Sequence, residues 1–174
     1  MKKVIIQGSS RSNGNTNQIA QLIRKEPEWD LIDLKNYQIG QFDYDFKNRY
    51  DDFFPLIRKI TDYDLILFLT PVYWYSMSGL MKTFFDRITD CLKIEKETGR
   101  RLRGKCMTVI SCGSEKKTTD GFFVPFELSA QYLGMEYWGD LHTWIEKDKP
   151  DEEVIDSVQR FIQRLTNPVK NART

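Results

Sequence analysis

The sequence predicts an α/β fold, a three-layer sandwich in which a parallel β-sheet is covered by helices on both faces. Short apolar runs bounded by turn residues alternate with longer stretches of helical period, which is typical of β-α-β units. The run at residues 64–70 is apolar at every interior position, as a central strand covered on both faces must be. The chain has 174 residues and no break in composition, so residues 1–174 are expected to form a single domain.

Composition and charge argue against several classes of protein. Apolar residues make up 40% and charged residues 29% of the chain, which is ordinary for a globular protein and unlike a disordered or fibrous one. The formal net charge is +1, so neither nucleic acid nor a membrane surface is an expected partner. Cys91, Cys106 and Cys112 lack the paired spacing of a disulfide framework or a zinc site, and no metal is expected. No export signal is visible, and the expected location is the cytoplasm.

The first strand is predicted at residues 3–7 and the second at residues 29–34. The helix between them is indicated by apolar residues at helical spacing, namely Ile19, Ala20, Leu22 and Ile23. Pro27 is expected to end this helix, because proline lacks the N–H that a helix interior needs. The second strand mixes acidic with apolar residues and is therefore expected at an edge of the sheet.

Two helices are predicted in the middle of the chain, one before the central strand and one after it. Residues 35–52 are polar and aromatic without a clear period, and a helix is expected from about residue 49 to residue 60. After the central strand, Ser78 is expected to cap the next helix. The wide apolar stripe of that helix consists of Leu80, Met81, Phe84, Phe85 and Ile88. Lys82 and Asp86 are spaced to pair on its polar face.

The last part of the chain predicts two further strands and two further helices. A charged segment at residues 93–105 leads to a fourth strand at 106–111, which is β-branched and mostly apolar. A helix is predicted at 122–133, with Pro125 in its first turn and Gly134 ending it. The remaining elements are a strand and a helix, at residues 135–142 and 154–165.

Folds of this kind bind ligands beyond the carboxyl ends of their strands, here the loops after the first, third and fourth strands. The first loop, residues 8–17, is rich in glycines, hydroxyls and side-chain amides. Free amides at the following helix N-terminus and the charge of Arg11 predict a site for a terminal phosphate. A turn rich in capping residues, without any ligand, is the alternative. The loop lacks the Lys-Ser/Thr ending of a P-loop, the dinucleotide fingerprint and the cysteine of a phosphatase.

The second loop, residues 70–79, carries three consecutive aromatic residues, Tyr-Trp-Tyr at positions 73–75. Exposed aromatic rings at a strand end are expected to cover a flat, apolar ring system. The alternative is that they pack on a neighbouring helix or on a partner subunit. The third loop, residues 111–114, is small enough to let a ring edge approach the sheet. Its Cys112 has no CxxC partner, so an inert or ring-lining thiol is favoured over a redox thiol.

Two segments are specific in combination. The first is Gly8-Ser9-Ser10-Arg11 with Gly14-Asn15-Thr16. The second runs from Thr70-Pro71-Val72-Tyr73-Trp74 through Met77-Ser78-Gly79-Leu80-Met81-Lys82 to Phe85-Asp86-Arg87. Together they resemble the NADPH-dependent FMN reductase family, above all its branch of iron–sulfur flavoproteins and related flavodoxin-like oxidoreductases. The resemblance implies a flavodoxin-like sandwich whose five-stranded parallel sheet has the strand order 2-1-3-4-5.

The resemblance also implies an FMN site, with NAD(P)H as co-substrate. The residues implied to hold the FMN phosphate are Ser9, Arg11, Ser12, Asn15, Thr16 and Asn17. Those implied to border the isoalloxazine ring are Pro71, Val72, Tyr73 and Trp74, with Ser111, Cys112 and Gly113 completing the pocket. A homodimer with its active site near the subunit boundary is implied as well. The cysteine cluster of the iron–sulfur branch is missing between Thr83 and Met107, so no iron–sulfur centre is expected.

The expected activity is transfer of hydride from NAD(P)H to FMN, and of electrons onward to a small-molecule acceptor: a quinone, a nitro or azo compound, a flavin or a metal ion. No catalytic side chain is assigned. His142 is expected to cap the sheet or face solvent, and an approach to the ring is the less favoured alternative. Two interpretations apply to the basic cluster of Arg100, Arg101 and Arg103. It could bind the extra phosphate of NADPH, but an exposed basic loop without a ligand is favoured. The main alternative function is a flavodoxin-type electron carrier, which the balanced charge of the chain disfavours. A flavin-based sensor is a second alternative that the sequence does not exclude.

Overall fold

The computed structural model describes residues 1–26 and 28–166, so Pro27 and the prediction made for it lie outside the described residues. The strands are β1 Lys3–Gln7, β2 Trp29–Asp33, β3 Leu65–Tyr73, β4 Ser76–Met77, β5 Cys106–Gly113 and β6 Glu136–Trp144. The helices are α1 Asn15–Ile23, α2 Phe53–Ile60, α3 Gly79–Lys93, α4 Lys96–Arg100, α5 Val124–Leu133 and α6 Glu152–Thr166. A single 3₁₀ turn, Leu34–Asn36, follows β2 in the described part of the chain. None of the helices described is both long and apolar enough to cross a membrane.

The sheet confirms the predicted α/β class. Its parallel strands run in the order β2-β1-β3-β5-β6, with β2 at an edge as expected. The predicted count of five strands is corrected to six, because the two residues of β4 pair antiparallel with the end of β3. A strand of two residues carries no periodic signal that the sequence could show.

The core lies on both faces of the sheet. On one face, Ile66 and Phe68 of β3 pack in a cluster with residues of α2, α3 and α5. On the other face, Leu65, Leu67 and Leu69 pack in a cluster with residues of α1 and α6. Successive side chains of a strand point to opposite faces, so a strand covered twice must be apolar throughout. This explains the uninterrupted apolar run that marked the central strand.

Strand β3 is longer than predicted and takes in Pro71, Val72 and Tyr73, which were assigned to a loop. The carbonyl of Leu69 accepts a hydrogen bond from the Gly8 amide, on the side of β3 that faces β1. Pro71 lies two residues further along β3, so its missing N–H faces the same side, beyond the end of β1. Proline is tolerated in a strand where no neighbour needs its N–H, and β3 continues through it.

Most of the predicted helices are present, and the main differences are the start of α2 and the additional helix α4. Ser78 caps α3 through a hydrogen bond from the Met81 amide to its hydroxyl, and Lys82 pairs with Asp86 at 2.6 Å, both as predicted. Helix α2 begins at Phe53 rather than near residue 49, and the short helix α4 lies in a segment predicted only as charged. A five-residue helix is shorter than two turns, too short for a hydrophobic period to show.

The long segment between β2 and α2 is held to α3 by Arg87. This guanidinium is fully buried and pairs with Asp51 at 2.5 Å and with Asp90 at 2.8 Å. It also donates to the carbonyl oxygens of Gly40 and Asn48, at 3.0 and 3.1 Å. Burial alone would raise the pKa of Asp51, but hydrogen bonds from Arg87 and from two backbone amides outweigh burial and lower it.

Candidate functional site

The first loop leaves the N-terminus of α1 free of side-chain caps. Gly14 precedes the helix and cannot cap it, and the first turn carries no acidic residue. The amides of Asn15, Thr16 and Asn17 therefore remain available as donors at the positive end of the helix dipole. Arg11 is exposed in the same loop. Free amides and a guanidinium beside them are the chemistry that binds a phosphate.

The side chains of the predicted phosphate site divide into two groups. Asn15 donates through Nδ2 to the carbonyl of Ile145 at 3.3 Å, and Asn17 donates to the side chain of buried Gln7 at 3.3 Å. Their side-chain amides are thus bound within the fold, and only their backbone amides are left for a ligand. The buried hydroxyl of Ser9 accepts from the Arg11 amide at 3.3 Å, which shapes the loop. Ser12 is half-buried and Thr16 is buried.

Two hydrogen bonds join the first loop to the second. The hydroxyls of Ser10 and Tyr73 are 2.8 Å apart and hydrogen-bonded. The Ser78 hydroxyl donates to the Gly8 carbonyl at 2.5 Å while accepting from the Met81 amide, so one side chain caps α3 and anchors the loop after β1. A Cβ at position 8 would lie 2.8 Å from Cε and 3.0 Å from Cβ of Met81, so any residue larger than glycine there would require Met81 to move. The sequence predicted the cap but gave no sign of the second contact.

Trp74 and Tyr75 form the two-residue turn between β3 and β4. Their φ angles are +48° and +63°, the left-handed conformation that a type I′ hairpin turn requires at both positions. Such turns favour Asn-Gly, and an aromatic residue held in this region costs about 1–3 kcal/mol. Trp74 is 93% exposed and Tyr75 71% exposed, so burial of the rings does not offset this cost. Strained exposed rings at the carboxyl edge of a sheet indicate a functional surface.

A cleft of about 360 Å³ opens beside this turn, within the range of about 300–1,000 Å³ that small-molecule sites occupy. It is lined by Val72, Trp74, Tyr75, Gly113, Ser114, Glu115, Lys117, Thr118, Thr119 and His142. Three residues predicted to border a ring, Val72, Trp74 and Gly113, are among them. Pro71, Ser111 and Cys112 are buried beneath the cleft, and Tyr73 is bonded to Ser10 instead.

His142 lines the cleft, although no role was predicted for it. Parallel pairing of β5 with β6 sets it opposite Ser111, whose hydroxyl is 2.8 Å from Nδ1. Nε2 is 2.9 Å from the carbonyl oxygen of Glu115. A carbonyl only accepts, so Nε2 of the neutral ring donates and Nδ1 accepts from Ser111. His142 therefore fixes the loop that forms one wall of the cleft. A sequence signal would have needed the strand register, which single-chain patterns do not supply.

Cys112 does not face the cleft. It packs with Ile110 and Trp144 in the core between the sheet and helices α1 and α6. Burial raises the pKa of its thiol to about 11, so the thiol stays protonated at neutral pH. The inert interpretation is therefore favoured over a redox thiol. Burial likewise raises the pKa of Cys106 to about 11 and that of Cys91 to about 12.

The basic cluster after α3 lies away from the cleft. Arg100 pairs with Glu97 within α4, and Arg101 pairs with Asp62 at 2.6 Å. Asp62 precedes β3 and Arg103 precedes β5, so this cluster belongs to the amino edge of the sheet. A larger cavity of about 670 Å³ lies at that edge too, lined by residues including Lys2, Glu28 and Tyr63. Ligands of parallel α/β sheets bind at the other edge, so the exposed basic loop is the better interpretation.

The order of the sheet, the uncapped helix after β1 and the cleft at the carboxyl edge define a flavodoxin-like protein. A family model described as NADPH-dependent FMN reductase matches residues 1–121. The chain belongs to the NADPH-dependent FMN reductase family and is an FMN-dependent NAD(P)H oxidoreductase. The free amides, Arg11 and the cleft fit the phosphate and ring of such a cofactor.

Individual proteins agree with this family. YwqN of Bacillus subtilis (strain 168), named as an NAD(P)H-dependent FMN-containing oxidoreductase, is 27% identical over 184 residues, covering 94% of this chain and 98% of that protein. Among solved structures, the Trp repressor binding protein from Bacillus subtilis has a TM-score of 0.75 at 22% identity, covering 99% of this chain and 100% of that one. General stress protein 14 from Treponema denticola, solved in complex with FMN, has a TM-score of 0.64 at 16% identity, covering 95% and 96%. At these identities the two structures support the fold.

Proposed function

We propose that this enzyme oxidises NAD(P)H and passes the electrons through FMN to a small-molecule acceptor of the quinone, nitro, azo, flavin or metal-ion class. The observation that carries the proposal is the pairing of two sites at one edge of the sheet. An uncapped helix N-terminus with Arg11 suits a phosphate, and a cleft with exposed aromatic rings suits a planar molecule. The hydrogen bond between Ser10 and Tyr73 joins the two loops that carry them.

The phosphate of FMN is proposed to bind at the first loop. Its ligands would be the amides of the first turn of α1, the guanidinium of Arg11 and the hydroxyls of the loop. The proposed residues remain Ser9, Arg11, Ser12, Asn15, Thr16 and Asn17, the two asparagines through their backbone amides. The absence of any acidic residue from the first turn of α1 supports this assignment, because a carboxylate there would repel the anion.

The isoalloxazine ring is proposed to lie against the half-buried floor of the cleft, formed by Val72 and Gly113. A Cβ at position 113 would lie 3.2 Å from Cε1 of His142, so glycine keeps this floor thin enough for a ring edge to approach. Buried Pro71, Ser111 and Cys112 are proposed to support this floor. Tyr73, which is exposed, is proposed to hold the first loop beside it through Ser10. Trp74 is proposed to border the ring and to leave its outer face open to the nicotinamide.

When bound, FMN supplies the redox chemistry, accepting hydride from NAD(P)H and delivering electrons to the second substrate. The residues of the chain bind the cofactor and the substrates and orient them. Amide donors at the strand ends stabilise negative charge on a ring placed there. His142 holds the wall of the cleft in position through Glu115, and the aromatic turn limits access of water. No side chain needs to act as an acid or a base.

The experiment that tests this function begins with the visible spectrum of the purified protein, alone and after adding FMN. Anaerobic titration with NADPH should bleach the flavin absorbance, and a quinone acceptor should then support steady NADPH oxidation. A carrier or a sensor would be reduced but would turn over very slowly. A colourless protein that stays colourless with FMN contradicts the proposal.

The oligomeric state and the cellular location of the enzyme are also proposals. We propose a single-domain chain that acts in the cytoplasm as a homodimer. Its three cysteines are free and buried, which suits a reducing compartment. Leu128 and Tyr132, two exposed apolar residues of α5, line a groove against α3, and Val124 is exposed on the same helix. These residues favour a second copy of this chain as the occupant of the groove.

A further inference from the structure

The wall of the cleft at residues 113–119 is fixed at several points. The Gly113 carbonyl accepts from the Ile145 amide at 3.0 Å, and the Glu115 carbonyl accepts from Nε2 of His142 at 2.9 Å. Lys116 pairs with Glu153 of α6 at 2.7 Å and lies over the ring of Trp144. These contacts hold the segment up to residue 116, immediately before Lys117, so the fold places Lys117 at the cleft.

Lys117 is exposed, lines the cleft and forms no ion pair with any described residue. It is the only lysine or arginine among the described residues that line the cleft, whose one carboxylate is Glu115. Next to it, the hydroxyl of Thr118 is shielded from solvent and has no hydrogen-bond partner within residues 1–26 and 28–166. Thr119 brings a second hydroxyl to the same wall. An ammonium group with an exposed hydroxyl nearby, that of Thr119, is suited to a phosphate.

Burial separates the floor of the cleft from its rim. Val72 and Gly113 are half-buried, whereas Trp74, Tyr75 and Lys117 are exposed. A nicotinamide coenzyme that reaches a ring on this floor must leave its phosphates outside, between the aromatic turn and the wall at 113–119. The basic cluster at Arg100, Arg101 and Arg103 lies at the opposite edge of the sheet and is too far away to contact them. Lys117 is the cation in the right position.

We propose that Lys117, with the hydroxyl of Thr119, binds a phosphate group of the nicotinamide coenzyme at the rim of the cleft. The inference rests on the proposed function and assigns part of that site to the second substrate rather than to FMN. It makes the wall at 113–119 the segment that determines coenzyme affinity.

The test compares Lys117→Gln with Lys25→Gln, which removes the same charge from an exposed position after the far end of α1. Both FMN-loaded variants are titrated with NADP⁺ and with NAD⁺ by calorimetry, and KM is measured for NADPH and NADH. Lys117→Gln should weaken coenzyme binding by about fivefold to tenfold, as expected for one exposed charge-assisted contact. Lys25→Gln should leave it unchanged, and both variants should keep their flavin absorbance.

The pattern of the loss identifies the phosphate. A loss confined to NADP⁺ and NADPH assigns Lys117 to the extra phosphate on the ribose, and an equal loss for both coenzymes assigns it to the pyrophosphate. If Lys117→Gln binds both coenzymes as the wild-type protein does, the inference is wrong while the proposed function stands. If the wild-type protein retains no FMN or oxidises neither coenzyme, the proposed function itself fails.

Discussion

At the scale of single residues, Asn15 and Asn17 show how the chain divides its polar groups between the fold and a ligand. Their side chains reach Ile145 and Gln7, while their backbone amides stay uncapped at the start of α1. A full positive charge beside these amides is supplied by Arg11, whose side chain is exposed. A phosphate bound here would therefore depend on Arg11 for its charge and on the helix amides for its geometry.

Arg11→Ala should weaken binding of FMN by about tenfold, because one charge-assisted hydrogen bond to a phosphate is lost. Riboflavin lacks the phosphate, so its affinity should stay within about twofold of the wild-type value. Fluorescence titration of both flavins measures the difference. Arg24→Ala, at the opposite end of α1, is the matched control and should change neither. An equal loss for FMN and riboflavin would remove Arg11 from the phosphate site.

At the scale of elements, the hairpin of β3 and β4 keeps two aromatic residues in a left-handed turn that suits neither of them. The double substitution Trp74→Asn with Tyr75→Gly supplies the residues that this turn prefers. It should raise the free energy of unfolding by about 1 kcal/mol, since the strain is relieved and little buried surface is lost. Urea denaturation of the flavin-free protein measures this gain.

The gain in stability should be accompanied by a loss of function. The variant should bind FMN with an altered absorption envelope, because the aromatic ring proposed to border the flavin is gone. Trp74→Ala keeps the unfavourable φ angle and is the control. It should show the same change in the flavin spectrum as the double variant but no gain in stability. A double variant no more stable than the wild type would mean that the turn is not strained.

A second element-scale feature is the tie between α3 and the segment before α2, made by Arg87 and Asp51. The pKa of Asp51 lies below its ordinary value of 3.8 in the folded state. A carboxylate with a lowered pKa contributes stability that is complete above the ordinary value and is lost as the pH falls through the folded value. The contribution of Asp51 should therefore be constant at neutral pH and decline below about pH 3.8.

Asp51→Asn should lower the free energy of unfolding at pH 7 by about 3 kcal/mol, because it leaves buried Arg87 with Asp90 as its remaining carboxylate. The difference from the wild-type protein should shrink in urea titrations carried out below the ordinary pKa of 3.8. Asp86→Asn breaks the surface pair with Lys82 and is the matched control, with an expected loss of about 0.5 kcal/mol or less. A difference for Asp51→Asn that does not change with pH would refute the role assigned to its charge.

At the scale of the whole molecule, the exposed apolar residues of α5 bear on assembly. Leu128 is 56% exposed and Tyr132 is 78% exposed, beside the groove between α3 and α5. If a second copy covers this face, Leu128→Glu with Tyr132→Glu should convert a dimer into a monomer, with unfolding little changed. Sedimentation equilibrium across a concentration series measures this, and Tyr44→Glu, at another exposed aromatic residue, is the control. A wild-type chain that stays monomeric throughout contradicts the proposed homodimer.

The limits of prediction follow from the range over which each signal acts. Local patterns predicted the apolar run of β3, the cap at Ser78 and the pair of Lys82 with Asp86, since each depends on neighbours within a few residues. The pairing of Ser111 with His142 depends on strand register, and the bond of Ser10 to Tyr73 joins residues 63 positions apart. A left-handed Trp-Tyr turn was also beyond reach, because neither residue is a turn signal.

The contact of Gly8 with Met81 has a consequence for how homologous chains can differ. The backbone at position 8 and the side chain at position 81 share one volume, with no room for even a methyl group between them. A substitution that enlarges position 8 therefore requires the side chain at position 81 to shift or to become smaller. Across an alignment of relatives, these two columns should therefore covary, with alanine or serine at the first accompanied by a shorter side chain at the second.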